Sequence, residues 1–587
     1  MRFTDRVRQS FTNFSQSFSR FPLTSILLVA ATIMNALNIE NAQESYMRFI
    51  VTFIVGAMLA AVAQIIFERF FTAQANRRYA LMAAAVLLTV AYYFILAPLS
   101  VYNIEFPIKT SVILFALLIA FIWIPTINNS LAFHQNLLAV IKAIFTSMLF
   151  AAILTLGFLA IYSAIDNLLF RLDDRVISHL VNIIWILFAP IYALSLIPTY
   201  RTDADTHAFS VPRFFEVLLT NIIIPLTLIY TLILIAYILI NITGQFWSDN
   251  LLEPLLVSYA IISLIVYLLS FNLSNKYLII YRRWFPKILL PIVLFQTIAS
   301  ILRIQEVGLT HGRYFVILFG VFSTLAAVIF SFNKEKWHGL SAVILLILSV
   351  ISIVPPLDAF TLSRTDHMNR LEAVLESNEM LVGDQVVAKN NISGEDKVLI
   401  TELVSYIDQM GYPNHFLPDD FDLYRDFDDV FGFDRAYDLS AFEMDMTQEN
   451  AFWDWAEHPS INIEGFDTFL PLYIYTQDEA DEALDPIIFE HADAIYHIEQ
   501  TFNNNDYLQL AIVDPSGQTL LTYDTQVLFD TIFGEDYVQD PLGNVLTPEA
   551  ATFVVENDEI RLQIVVMYLS RTEDYEDGGV YLLVEFK

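Results

Sequence analysis

Arg303, Glu306 and Arg313 flank the turn Gly308-Leu309-Thr310 between two long apolar runs. Arg303 and Glu306 are three residues apart, so on a continuing helix they share a face and can pair. Gly308 lets the chain reverse and brings Arg313 back to the same depth. Charge beside a membrane-sized apolar run is costly and marks either a structural clamp or a binding site, although snorkelling lowers the cost near a boundary. Two arginines against one glutamate leave surplus positive charge, which could dock a carboxylate or hold a small anion. A second group has the opposite sign. Asp419, Asp420, Asp422, Asp426, Asp428, Asp429 and Asp434 put seven carboxylates in sixteen residues. Hard oxygen ligands at that density suit Ca²⁺, with Asp420, Asp422, Asp426 and Asp428 as the candidate ligands. The spacing lacks D-x-[DN]-x-[DN]-G, so a solvated acidic loop competes with the metal reading. Phe421, Tyr424, Phe427, Phe431 and Phe433 would anchor such a loop.

The other charged residues read as structural. Glu68, Asp166, Glu216 and Glu253 fall at the ends of apolar runs, and Glu216 and Glu253 lie near helix N-termini, where the dipole favours a carboxylate. His458, His491 and His497 show no metal-binding spacing. No P-loop, G-x-G-x-x-G, G-x-S-x-G or H-E-x-x-H occurs, so ATP-driven transport and serine hydrolysis lack their usual signatures. With no cysteine, disulfides, thiolate zinc sites and cysteine nucleophiles are excluded.

The elements that position these residues follow from hydropathy and charge. Residues 1–355 hold 22 Lys/Arg and 15 Asp/Glu; residues 356–587 hold 9 and 49. One chain joins two solvents, lipid for the first part and water for the second. A span needs about 20 apolar residues. Candidates are 22–39, 48–67, 80–98, 110–127, 137–165, 179–198, 214–242, 252–271, 284–302, 313–331 and 338–354, about eleven in all. Within them Pro190, Pro225 and Pro291 could break helices, as could Pro198 at the end of its run. With the N-terminus inside, inside segments carry 15 Lys/Arg and outside loops six (Arg48, Lys109, Arg171, Arg175, Arg303, Arg313). The positive-inside rule then places the N-terminus in the cytoplasm and, with an odd span count, the tail outside. In residues 1–21, Phe3, Val7, Phe11, Phe14, Phe18 and Phe21 form one aromatic stripe, as expected of an amphipathic helix at the headgroup layer.

After Pro355-Pro356 the pattern changes. Residues 366–382 read as a helix, and Ser393 with Asp396 forms a capping-box start for a second helix that Gly411 stops. Strands are expected at 472–475, 508–513, 519–523, 552–555, 561–568 and 580–586, with turns at Asp514-Pro515-Ser516-Gly517 and Asp577-Gly578-Gly579. The expected architecture is an α-helical polytopic membrane bundle (22–355), a helical and acidic connecting region (356–450) and an acidic, soluble, mostly antiparallel α+β domain (451–587).

Three segments carry a family resemblance: Arg303-Ile304-x-x-x-Gly308-Leu309-Thr310-x-x-Arg313-Tyr314; Asp366 to Glu379 followed by Ile407-Asp408-Gln409-Met410-Gly411-Tyr412; and Ile461-Asn462-Ile463-Glu464-Gly465-Phe466-Asp467. They resemble the bacterial polytopic membrane proteins of domain-of-unknown-function family 4153. The resemblance implies a helical bundle with a soluble tail and brings no activity with it. Phe466 and Asn462 depart from the Tyr and Asp of that family's tail motif.

The leading expectation is an envelope scaffold or sensor, anchored in the lipid bilayer and presenting its acidic domain to a cationic protein or other envelope partner. The acidic tail repels nucleic acid. A transporter or channel is the alternative, and a membrane enzyme acting on lipid-linked substrates the third. No cofactor is indicated beyond the Ca²⁺ candidate.

Overall fold

The computed structural model describes residues 15–200, 209, 211–241, 252–273, 276–332, 335–383, 385–418, 421–436, 449–453, 458, 460–476, 484–492, 494–503, 507–534, 544–572 and 575–587. Most of the expected N-terminal amphipathic helix, residues 1–14, lies outside them. The chain forms two compact units, Met1–Arg435 and Ala436–Lys587.

The first unit is a bundle of apolar helices: α1 (Pro22–Glu40), α2 (Glu44–Phe70), α3 (Ala75–Ile95), α4 (Glu105–Trp123), α5 (Phe133–Leu168), α6 (Arg175–Leu196), α7 (Arg213–Ile240), α8 (Leu252–Ser270), α9 (Lys276–Val307), α10 (His311–Ser331) and α11 (His338–Ile351). Among the described residues, nine of these are long and apolar enough to cross a membrane. The eleven expected from hydropathy are thereby reduced. In α8, which has 19 residues, the apolar stretch within the described residues is Pro254–Ser270. α11 has 14 residues, about 21 Å at 1.5 Å per residue, against a hydrocarbon core of about 30 Å. Leu, Ile and Phe cover the outward faces of the helices, as a bilayer demands.

The prolines do not end their helices. α6 widens into a π turn at Ile183–Phe188 just before Pro190, and α7 does so at Leu219–Ile223 just before Pro225. The wider turn takes up the missing N–H and the ring's clash with the preceding carbonyl. Pro286 and Pro291 sit inside α9. Pro198 falls after α6 has ended.

The same unit continues past the last apolar helix. Asp358 caps α12 (Ala359–Ser377), its carboxylate accepting from the N–H groups of Phe360 and Thr361. Ser393 caps α13 (Gly394–Gln409), accepting from Asp396 N–H, and Gly411 leaves it at φ +61°, as the capping pattern required. A hairpin of β1 (Leu381–Val382) and β2 (Gln385–Val386) and the short α14 (Phe427–Phe431) complete this layer. Phe360, Leu371, Leu375, Ile400, Val404, Phe427 and Phe431 form its core, against which Ile108, Tyr314 and Phe315 of the bundle pack.

The second unit consists of two β-sheets around one core. β3 (Glu449–Trp453), β4 (Thr468–Tyr475), β9 (Asn544–Leu546), β10 (Thr552–Glu556), β11 (Ile560–Arg571) and β12 (Glu576–Phe586) form one sheet in the order β4-β12-β11-β3-β9, with β10 also paired to β11. β5 (Ile487–His491), β6 (Ala494–Phe502), β7 (Leu508–Val513) and β8 (Thr519–Asp524) form an antiparallel meander. Alternate residues of both sheets point inward, including Leu562, Ile564, Leu582 and Val584 from one and Ile498, Leu510 and Ile512 from the other. The only described helix is α15 (Gln526–Ile532), so this unit is β-rich rather than α+β. The 514–517 turn forms as expected, with Gly517 at φ +88°. Asp577-Gly578-Gly579 does not turn. It lies within β12, because Gly578 and Gly579 let Leu569 and Tyr568 of β11 approach; a Cβ on Gly578 would lie 2.6 Å from the Tyr568 carbonyl oxygen.

Candidate functional site

Gly308 takes φ +80° between α9 and α10, a conformation that penalises any side chain. Arg303 is buried near the end of α9. Arg313, in the first turn of α10, donates from Nη1 to the Gly308 carbonyl at 3.0 Å. The side chain of Glu306 lies outside the described residues. The turn is organised by two residues that spacing alone did not single out, both on α12. Asp366 Oδ2 accepts from the Leu309 N–H at 2.8 Å and from Arg370 Nε at 3.0 Å. Arg370 Nη2 then donates to the Ile304 carbonyl at 2.6 Å. One guanidinium thus adds a second donor to the Ile304 carbonyl, which also accepts from the Gly308 N–H, and one carboxylate takes the Leu309 N–H after the helix. Asp366 and Arg370 are four apart on α12, the helical pairing distance. The sequence signal was present in the segment Asp366–Glu379, which carries part of the family resemblance, but nothing in the spacing tied it to Gly308.

A second tie lies beside the first. The Tyr406 hydroxyl of α13 accepts from the His311 N–H at 3.0 Å and sits 2.8 Å from both His311 Nδ1 and Ser363 Oγ. The His367 ring stacks on Tyr406 at 4.0 Å, and its Nδ1 hydrogen-bonds the Ser363 carbonyl. A carbonyl only accepts, so Nδ1 carries the proton. Burial depresses the His367 pKa below its ordinary value, and the charges of Arg370 and Arg313 add to that while Asp366 opposes it. Tyr314 Oη donates to the Leu357 carbonyl at 2.6 Å, and Lys109 lies between Glu105 and the fully buried Asp358. α4, α9, α10, α12 and α13 are joined through polar groups that face one another. Ser363 is fully buried, so its hydroxyl, though hydrogen-bonded to a Tyr–His pair, is not presented to a substrate. Cavities of about 250, 640 and 490 Å³ lie elsewhere in the unit, and Arg303, Arg313, Asp366 and Arg370 are not among the residues that line them.

Residues 23–383 match the family described as Domain of unknown function (DUF4153). The chain belongs to that family. The DUF4153 match takes in the Gly308 turn together with Asp366 and Arg370 and ends before Tyr406, so the first tie lies wholly inside the DUF4153 region and the second crosses its edge. No curated protein and no solved structure matches the chain.

The remaining candidates resolve individually. Glu68, fully buried, takes both Nε and Nη2 of Arg20 at 2.8 and 2.7 Å, and Gln64 donates to it at 3.0 Å. Arg20 also reaches the Ile197 and Pro198 carbonyls, and Arg78 bonds Gln64, so α1, α2, α3 and the end of α6 share one lock. Asp166 accepts from the Leu172 N–H. Glu216 lies in the first turn of α7, and the side chain of Glu253 lies outside the described residues. In the acidic run, Asp420 lies outside the described residues. Asp422 accepts from the N–H groups of Tyr424 and Arg425, and Asp426 is held by Arg425. Arg425, with the Asp422 N–H, lowers the Asp426 carboxyl to about 2. Asp428 lies in the first turn of α14. Among the described residues these carboxylates do not converge as a group that could hold a metal ion. Phe427, Phe431 and Phe433 are buried in the core of the layer.

Proposed function

We propose that the chain is a multi-pass envelope membrane protein whose bundle serves as an anchor and whose acidic C-terminal unit is presented outside the membrane to a partner. The supporting observation is the use made of the signature. Its polar groups bond to α12 and α13, so the most distinctive segment of the chain is a joint that fixes the layer after the last apolar helix to the bundle. The charge bias of 15 inside against six outside Lys/Arg supports a cytoplasmic N-terminus and eleven crossings, with α8 and α11 crossing at reduced apolar length. The chain has no cysteine, so single introduced thiols report orientation cleanly. Ser516→Cys should react with an impermeant maleimide on intact cells and Arg77→Cys only after permeabilisation. The reverse pattern would sink the orientation. Reconstituted in vesicles, the protein should pass no ions or small solutes.

A transport reading has one observation of its own. Gln296, Ser300 and Ser323 are fully buried in α9 and α10, and among the described residues neither amide atom of Gln296 nor either hydroxyl has a hydrogen-bond partner. Buried polar groups of this kind are satisfied by water. Solute flux abolished by Gln296→Leu would favour transport over anchoring.

A further inference from the structure

Exposed aromatic rings gather on one open face of the large sheet. Cross-strand register places Tyr473 of β4, Gly579 of β12 and Tyr568 of β11 side by side on that face. Gly579 has no side chain, and the Tyr568 ring lies against it, since a Cβ there would be 2.7 Å from Cε1. Asp577, two residues along β12 and so on the same face, accepts from Tyr473 Oη at 2.7 Å. That bond raises the Tyr473 hydroxyl pKa, as does the neighbouring Tyr575. Tyr473 and Tyr575 are both exposed, and Tyr475 stacks on Tyr473 at 5.8 Å. The band of rings continues to Phe452, paired with Tyr568 on β3 and also exposed. Three tyrosines therefore surround one carboxylate on an open surface, with no side chain on the β12 residue between two of them.

Charge decides the occupant. Residues 436–587 contain 32 Asp/Glu and only three basic residues, Arg561, Arg571 and Lys587. All three are already paired: Arg561 with Glu585, Lys587 with Glu556, and Arg571 with Glu576, Asp530 and Glu449. Among the described residues no cation pairs with Asp577. The unit offers no unpaired positive charge, and its field concentrates cations at the surface. Ring faces beside a carboxylate bind ammonium or guanidinium groups through cation–π attraction and ion pairing together.

Resting on the reading that this unit is presented to a partner, we propose that Tyr473, Tyr568 and Tyr575 around Asp577 form a recognition site for a lysine- or arginine-bearing segment of a cationic protein. The rings supply specificity that diffuse charge cannot.

The test uses the full chain in detergent and a labelled ten-residue peptide of alternating Lys and Gly, with its Nε-acetylated counterpart, in fluorescence anisotropy at about 150 mM salt, where the Debye length is about 8 Å. The lysine peptide should bind and the acetylated one should not. Tyr568→Ala and Asp577→Asn should each weaken binding roughly 10-fold, Tyr568→Phe by less than about 2-fold because the ring face remains, and Glu559→Gln, in the turn at the far end of β11, not at all. Asp577→Asn keeps the backbone and serves if Tyr568→Ala melts early. Equal binding by all variants, equal binding of the acetylated peptide, or no binding by the parent would each overturn the site. A photocrosslinker at exposed Val545 separates the two levels in cells. Adducts that persist in Tyr568→Ala leave the presentation reading standing and discard this site, whereas adducts absent from the parent discard both.

Discussion

The bundle and the sheet unit handle charge in opposite ways. In the bundle, the charged side chains that serve as ties are bonded within the fold: Glu68 onto Arg20, Asp366 onto Arg370 and a backbone N–H, Arg313 onto the Gly308 carbonyl. In the sheet unit, three cations pair with five of 32 carboxylates, which leaves no Lys or Arg of that unit for the others. A charge that is bonded inside a fold is a structural part, because removing its partner strands it in a low-dielectric site. A charge left to water costs little to keep and is available to something else. On the proposed reading, the difference separates the part of the molecule that holds from the part that meets other molecules.

That contrast can be broken at several points. Glu68→Ala should have the largest effect, since it strands Arg20 and Gln64 in the interior; a loss of roughly 3–5 kcal/mol is expected, measured as thermal unfolding in detergent. No loss would mean that water already solvates Arg20. Asp366→Ala is partly exposed and should cost about 2 kcal/mol. Combined with Arg370→Ala it should cost less than the two single changes together, and strict additivity would dissolve the joint. In the sheet unit the equivalent sensitivity lies in backbone rather than charge. Gly578→Ala meets the Tyr568 carbonyl and should cost roughly 1–3 kcal/mol; a neutral result would restore the turn expected at 577–579.

The joint should also respond to pH. The folded His367 pKa lies below its ordinary 6.5, so the unfolded chain binds the proton more readily. Stability is then full above about pH 6.5 and falls as the pH drops below it toward the depressed folded value. His367→Gln should flatten that fall, and an unchanged slope would assign it to other groups. The smallest effect belongs to the sheet's exposed pairs. Arg561→Gln should change stability by about 0–1 kcal/mol, and a larger loss would show that its pair with Glu585 is structural after all.

Much of this was legible in the sequence because it depends on local chemistry. Ser393, Gly411 and the Asp514–Gly517 turn were found from residues within four positions of one another, and the apolar helices from a 20-residue property. The misses are tertiary. α11 is apolar as expected but has 14 residues, and its length is set by where the chain stops being helical. Gly578-Gly579 has the composition of a turn but was selected by the approach of β11. Of the joint, Arg303, Gly308 and Arg313 were singled out by spacing, whereas Asp366, Arg370, Tyr406 and His311 reach them from 50 or more residues away or through a backbone N–H. No periodicity records such a pairing.

The lock around Arg20 has a consequence for biogenesis. Arg20 and Glu68 can meet as soon as α1 and α2 have left the ribosome, but the carbonyls of Ile197 and Pro198 that complete the guanidinium's bonds follow 130 residues after Glu68. At roughly 5–20 residues per second, the newly inserted hairpin of α1 and α2 waits on the order of ten seconds with its half-buried arginine only half-satisfied. During that interval the nascent chain depends on water or on the insertion machinery to shelter the pair, and a synthesis pause before residue 198 would lengthen its exposure.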